Sequence, residues 1–122
     1  MIWDGMNGRK FPRVSYKCRI LVCRDDKESL IDTCIENIGQ GGICVSLTEE
    51  IKIFDKVNLE VFIGEGQQPV RCRGKVVWVV KGGSDKDPSA VLYDTGIEFI
   101  DLQKEDKGRI RKLVNDIIRS DT

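Results

Sequence analysis

The sequence contains no histidine. That absence removes the commonest general base near neutral pH and the commonest metal ligand. A serine or cysteine nucleophile would then need an unusual activating partner. Five cysteines are present, Cys18, Cys23, Cys34, Cys44 and Cys72, but no pair has the C-x-x-C spacing of a zinc or dithiol redox site. They read as reduced thiols serving as small hydrophobes in strands. Net charge is missing too, since 20 basic side chains balance 20 acidic ones. Bulk electrostatics therefore gives no general pull toward a nucleic acid polymer or anionic lipid, and any anion site must be local. No apolar run approaches the ~20 residues that a membrane helix needs. Residues 1–10 lack the apolar stretch of a secretory signal. The expectation is a cytoplasmic binding protein without membrane insertion, catalytic residues, bound metal or cofactor.

What is present is the composition of one ordinary globular domain: 122 residues, 40% hydrophobic and 33% charged. Residues 1–14 read as a flexible N-terminal arm. Gly5, Gly8 and Pro12 interrupt any period there, and Arg9, Lys10 and Arg13 place three positive charges in five residues. From residue 15 to residue 122 the pattern is that of a folded unit. Tyr16, Cys18, Ile20 and Val22 alternate with Lys17 and Arg19, the period-two signature of a half-buried strand. A second strand covers Leu30 to Ile38, where imperfect alternation suggests a bulge. Gly39-Gln40-Gly41-Gly42 supplies a tight reversal into a third strand carrying Ile43, Val45 and Leu47.

A fourth strand holds Val57, Leu59, Val61 and Ile63. The fifth is long, with Val70, Cys72, Gly74, Val76, Trp78 and Val80 expected on one face and Arg71, Arg73 and Lys75 on the other. After a loop at Lys81 to Pro88, a sixth runs from Ala90 to Ile100 with Ile97 and Phe99 pointing inward. Ile110, Leu113, Val114, Ile117 and Ile118 then fall at i, i+3, i+4, i+7 and i+8, the apolar stripe of an amphipathic helix at about 103–119. Six short strands with evenly spaced turns indicate a mostly β barrel or sandwich, covered by that helix.

Two local features carry chemistry. In Arg9-Lys10-Phe11-Pro12-Arg13, two guanidiniums four residues apart can converge on one anion. The planar fork of arginine binds phosphate bidentately and also fits the O6/N7 edge of guanine. In Asn37-Ile38-Gly39-Gln40-Gly41-Gly42, an amide able to pair with a base edge enters a turn whose glycines let a ligand approach the backbone. Taken singly, the first also describes a solvated basic arm and the second an ordinary β-turn.

Together, in this order and spacing, they resemble the PilZ domain. That bacterial family is marked by R-x-x-x-R on an N-terminal loop and [D/N]-x-S-x-x-G about two dozen residues later. Arg9 and Arg13 match the first motif; Asn37 and Gly42 match the ends of the second. Gly74-Lys75-Val76-Val77-Trp78 looks like the family's G-x-V-V-W strand, and Gly96-Ile97-Glu98-Phe99 like its G-I-x-F strand. The resemblance implies a six-stranded antiparallel β-barrel with a C-terminal helix, binding the second messenger cyclic di-GMP. It would place Arg9 and Arg13 around the phosphates and guanine edges and Asn37 on a guanine; Lys10, Gly39 and Gly42 join them as candidate ligand-binding residues. Trp78 reads equally as a stacking platform for a guanine or as a core tryptophan. The motif's serine is Gly39 here, so one ligand hydroxyl is missing.

The leading expectation is a cyclic di-GMP receptor or adaptor that passes its signal to a protein partner. The alternative is a degenerate module that keeps the fold and binds only protein. A third reading, a single-stranded nucleic acid binder using Arg71, Arg73 and Lys75, is opposed by the zero net charge.

Overall fold

The computed structural model describes residues 13–24, 30–64, 66–83 and 91–120. Among the described residues seven strands precede one helix: β1 (Arg13–Ser15), β2 (Arg19–Arg24), β3 (Leu30–Gly39), β4 (Gly42–Leu47), β5 (Lys56–Val61), β6 (Val70–Gly83), β7 (Val91–Phe99) and α1 (Lys104–Ser120). All pairings are antiparallel, in the order β1-β3-β2-β5-β6-β7-β4, and a further β3–β4 pairing closes the sheet on itself. The closed body is a six-stranded barrel, as expected, with β1 as an added short strand.

The strand expected from Tyr16 begins at Arg19 instead, and a separate short strand lies ahead of it. β1 pairs Arg13 with Gly39 and Val14 with Ile38, whereas β2 resumes at Arg19 opposite Cys34. The residues between keep isolated bonds to β3, from the Ile35 amide to the Cys18 carbonyl at 2.9 Å and from the Tyr16 amide to the Glu36 carbonyl at 3.4 Å. Arg13 and Val14, read from the sequence as the end of a flexible arm, are thus sheet residues, and Val14 is buried. Residues 1–12, including Arg9 and Lys10, lie outside the described residues. The suspected bulge in the second strand is present, as a register shift between Ile35 and Asn37.

The core follows the alternation of the strands. Ile20 and Val22 of β2, Ile35 and Ile38 of β3, Ile43, Val45 and Leu47 of β4, Leu59 of β5 and Ile97 of β7 are all buried inside. Helix α1 adds Ile110 and Val114, both fully buried, with Leu113, Ile117 and Ile118 partly buried around them. The apolar stripe therefore covers the barrel of its own chain and contacts β1 and β3. Glu105 and Asp106 lie in its first turn and Arg119 in its last, each favourable to the helix dipole. Arg109 ties it to the β5–β6 connection, donating from Nη2 to the Ile63 carbonyl at 3.4 Å and to Gln67 Oε1 at 3.2 Å. Among the described residues no helix is long and apolar enough to cross a membrane.

Strand β6 departs from the expected facing. Val76 pairs with Ile97, but the next partner pair is Trp78 with Gly96, so Val77 is the extra residue of a bulge. Before the bulge, Val70, Cys72 and Val76 face the core. After it the phase is reversed: Val79 packs against the core, while Val80 is 57% exposed. Trp78 and Val80 thus lie on the outer wall rather than the inner one. The bulge is held from the β5 side, where the Phe54 amide donates to the Val76 carbonyl at 2.7 Å and the Val76 amide to the Asp55 carbonyl at 3.0 Å.

Candidate functional site

The β3–β4 hairpin and β1 bring four of the sequence-predicted residues together, Arg13, Asn37, Gly39 and Gly42. Arg13, at the start of β1, pairs with Gly39, and Ser15 pairs with Asn37, so both partners come from the last turn-proximal stretch of β3. The Arg13 side chain reaches across that strand. Its Nη1 lies 3.5 Å from Asn37 Oδ1, a long hydrogen bond, and Arg13 as a whole is only 6% exposed. A guanidinium held this way has its stem packed and its charge placed in advance.

Gly42, the first residue of β4, explains its own identity. A β-carbon there would overlap the Ile97 carbonyl oxygen of β7 and would sit 3.0 Å from Arg13 Nη2. The place that a side chain would occupy is filled by the arginine and by neighbouring backbone. Close approach, rather than a left-handed backbone, is what demands glycine: among the described residues the positive-φ glycines are Gly64 and Gly66. Gly39 closes β3 in the sheet, so its backbone is extended rather than left-handed.

Alternation decides which wall carries this group. Ile43, Val45 and Leu47 of β4 are buried inside, so Gly42, Cys44 and Ser46 face outward. Their partners on β7 are Glu98, Gly96 and Asp94. The exposed hydrogen bond from Ser46 Oγ to Asp94 Oδ1, 2.6 Å, marks this as the outer surface. Trp78 of β6 pairs with Gly96 on the same surface, and its indole lies across that glycine, where a β-carbon would collide with Nε1. A continuous outer band therefore runs from Arg13 and Asn37 through Gly42 and Gly96 to the half-buried Trp78. A cation, an amide, two glycines that leave room for the arginine and the indole, and an aromatic side chain suit a flat, anionic, base-bearing ligand. Of the predicted residues, Arg13, Asn37, Gly39, Gly42 and Trp78 all border this band; Arg9 and Lys10 fall outside the described residues.

The rest of the barrel offers less. A groove of about 420 Å³ lies on the wall formed by β2, β5 and β6, lined by Leu21, Asn58, Arg71 and Arg73 among others. Arg71 is tied there to Glu60, with Nε 2.6 Å from Oε1, so the basic strand face is partly neutralised by its neighbour. The cysteines are free thiols. Burial, and then the nearby Cys34, pushes the Cys18 thiol up to about 11; burial, then Asp101 and Asp106, pushes Cys72 up to about 12. Both stay protonated near neutral pH and are poor nucleophiles. Among the described residues no cluster of acidic or cysteine side chains could hold a metal ion.

Comparison with solved structures returns barrels of the same design. One is the Bacillus subtilis inhibitor of motility MotI/DgrA, with a TM-score of 0.76 at 14% identity, covering 93% of this chain and 53% of that one. Another is the PilZ domain of YcgR from Escherichia coli with c-di-GMP, at 0.73 and 13% identity, covering 93% and 94%. A third is the K. pneumonia MrkH–c-di-GMP complex, at 0.76 and 17% identity, covering 93% and 52%. The chain spans about half the length of the MotI and MrkH chains and nearly all of the YcgR domain. At these identities the likeness speaks for the fold. Among curated proteins none matches the sequence. The family model described as PilZ domain matches residues 7–116, from the basic segment before β1 to the last turns of α1, and this chain belongs to the PilZ domain family.

Proposed function

We propose that this protein is a cyclic di-GMP receptor or adaptor module, a binding protein rather than an enzyme. The observation that carries the reading is the position of Arg13, whose guanidinium lies between Asn37 and Gly42. Two separate sequence motifs meet on the outer wall, where they would form one anion and base site. Arg13 would hold phosphate or the guanine O6/N7 edge, Asn37 would pair with a guanine, and Trp78 would support a ring. Arg9 and Lys10, just ahead of β1, would complete the clasp. YcgR and MrkH, which share the fold, are seen with c-di-GMP. The protein would act in the cytoplasm and hand its signal to a protein partner.

Calorimetric titration with cyclic di-GMP tests this. The expected dissociation constant is micromolar or tighter, about −8 kcal/mol. No heat and no amide chemical-shift change at millimolar ligand would overturn the reading. A second reading, a module that keeps the barrel but has lost the nucleotide, is favoured by one observation: Gly39 stands where the family motif has serine. Loss of one hydroxyl hydrogen bond costs ~0.5–1.5 kcal/mol, roughly threefold to tenfold in affinity, which weakens a site without abolishing it.

A further inference from the structure

The bulge in β6 does more than turn Trp78 outward. It sets the rung Trp78–Gly96 directly beside another outward rung, Lys75–Glu98, since Val76 and Ile97 between them face the core. Successive same-face rungs of a strand are about 7 Å apart, the width of one base edge beyond a stacked ring. Glu98 is also the register partner of Gly42, whose outer surface carries the Arg13 guanidinium. It is exposed, and among the described residues no hydrogen bond or ion pair engages its carboxylate.

Lys75 is held differently. Its Nζ stands 5.9 Å from the centroid of the Phe54 ring, a cation–π contact. Phe54 is 72% exposed and has a φ of 77°, the left-handed region that a bulky side chain rarely enters. Backbone kept in that region needs the surroundings to hold it there. Here the restraint is the pair of hydrogen bonds to Val76, one residue from Lys75. The loop that pins the bulge therefore also presents an aromatic ring to the lysine.

From this geometry we infer that Lys75 and Glu98 read the base that stacks on Trp78, and that they select guanine. The inference rests on the receptor reading above. An ammonium that only donates and a carboxylate that only accepts are carried by register partners on the outer wall. The guanine Watson–Crick edge is their complement: O6 accepts from Lys75, while N1–H and N2–H donate to Glu98. Adenine presents an exocyclic donor where guanine presents O6, and an unprotonated N1 where guanine presents N1–H. Lysine would then face a donor and glutamate a lone pair. Phe54 is a positioning residue, acting through Lys75 rather than on the base.

The test is calorimetry with cyclic di-GMP and cyclic di-AMP on the full chain and on Glu98→Gln, Lys75→Met and Phe54→Ala, with melting temperatures to confirm folding. Wild type should prefer the guanine ligand. Glu98→Gln should lose about tenfold or more for cyclic di-GMP, as expected for a hydrogen bond to a charged group, and gain nothing comparable for cyclic di-AMP, so that the preference shrinks. Lys75→Met should shrink it as well, and Phe54→Ala should have an effect only while Lys75 is present. Wild-type binding with a ratio unchanged in Glu98→Gln and Lys75→Met overturns the inference and leaves the receptor reading standing. An equal effect of Phe54→Ala with and without Lys75 overturns the positioning role. Wild type that binds neither ligand overturns the receptor reading, and this inference with it.

Discussion

Adding one methyl group at Gly42 and at Gly96 should give two different failures. At Gly42 the new carbon meets the Ile97 carbonyl oxygen, and at 3.0 Å Arg13 Nη2. The first obstacle is backbone of a neighbouring, fully paired strand, which cannot swing aside without opening the β4–β7 ladder. Overpacking of this kind costs ~1–3 kcal/mol, and a rigid obstacle puts Gly42→Ala at the upper end. The displaced arginine should also lose its ligand contacts. At Gly96 the obstacle is the Trp78 indole, the movable end of a side chain on the outer wall. Gly96→Ala should therefore cost under about 1.5 kcal/mol, in the range of tolerated swaps, while tilting the ring and weakening binding by losing part of a stacking contact worth ~1–3 kcal/mol. Urea denaturation measures the first quantity and calorimetry with cyclic di-GMP the second. Tryptophan emission in a Trp3→Phe background isolates Trp78 and should shift in Gly96→Ala alone. Equal stability losses for the two variants, or a Gly42→Ala protein as stable and as tight-binding as wild type, would refute the assignment of backbone and side-chain obstacles.

Four further outcomes follow from the same structure. Arg13→Ala should weaken cyclic di-GMP binding by at least ~2 kcal/mol, as expected for charge-assisted contacts, and should also cost about 1 kcal/mol of stability because its stem is packed in the sheet; unchanged calorimetric affinity would sink the clasp. Gly39→Ser should tighten binding about threefold or more, since the family motif carries a hydroxyl there and the extended backbone does not itself demand glycine; weaker binding with a lower melting temperature would show that glycine is needed there for shape. Ile110→Ala should cost ~2–5 kcal/mol, independent of protein concentration, because the helix stripe is buried in its own barrel; a concentration-dependent melting temperature would point instead to an intermolecular role. Gly108→Ala should stabilise by up to ~1 kcal/mol, since the residue lies inside α1 and a β-carbon there meets nothing within 4 Å; a thermal melt that does not rise counts against the helix as drawn.

The barrel was legible where one face of a strand is apolar and the other is not, as in Ile20–Val22 or Ile43–Leu47. The helix was legible because its five aliphatic residues fall at one spacing and no other. β6 defeated the same reasoning at Val76-Val77-Trp78-Val79-Val80, where every position is apolar and alternation carries no phase. A bulge there is set by pairing with β7 and by the loop at Phe54, contacts distant in sequence. Arg13 was misplaced for a related reason: its neighbours Lys10 and Pro12 look like an arm, and only the pairing with Gly39, 26 positions on, makes it a strand residue. The motif residues of the site were named from the pattern of a family. Lys75 and Glu98 could not be found that way, because their adjacency exists only in the β6–β7 register.

The seam between β4 and β7 has a consequence for how the protein comes into being. β1 to β4 pair mainly with near neighbours in the chain, so a hairpin ending at Leu47 can form early in synthesis. The ring closes only when Val91–Phe99 arrives beside Gly42–Leu47, a pairing that spans about half the polypeptide. Such non-local closure belongs to the slower class of folding events, in milliseconds to seconds. The outer band that would receive the messenger crosses this seam, with Arg13 and Asn37 on the early side and Gly96, Glu98 and Trp78 on the late one. On the proposed receptor reading, a nascent or partly opened chain would hold only half of the site. It would not titrate the messenger away from finished molecules, and the messenger in turn would act as a fastener that slows reopening of the ring.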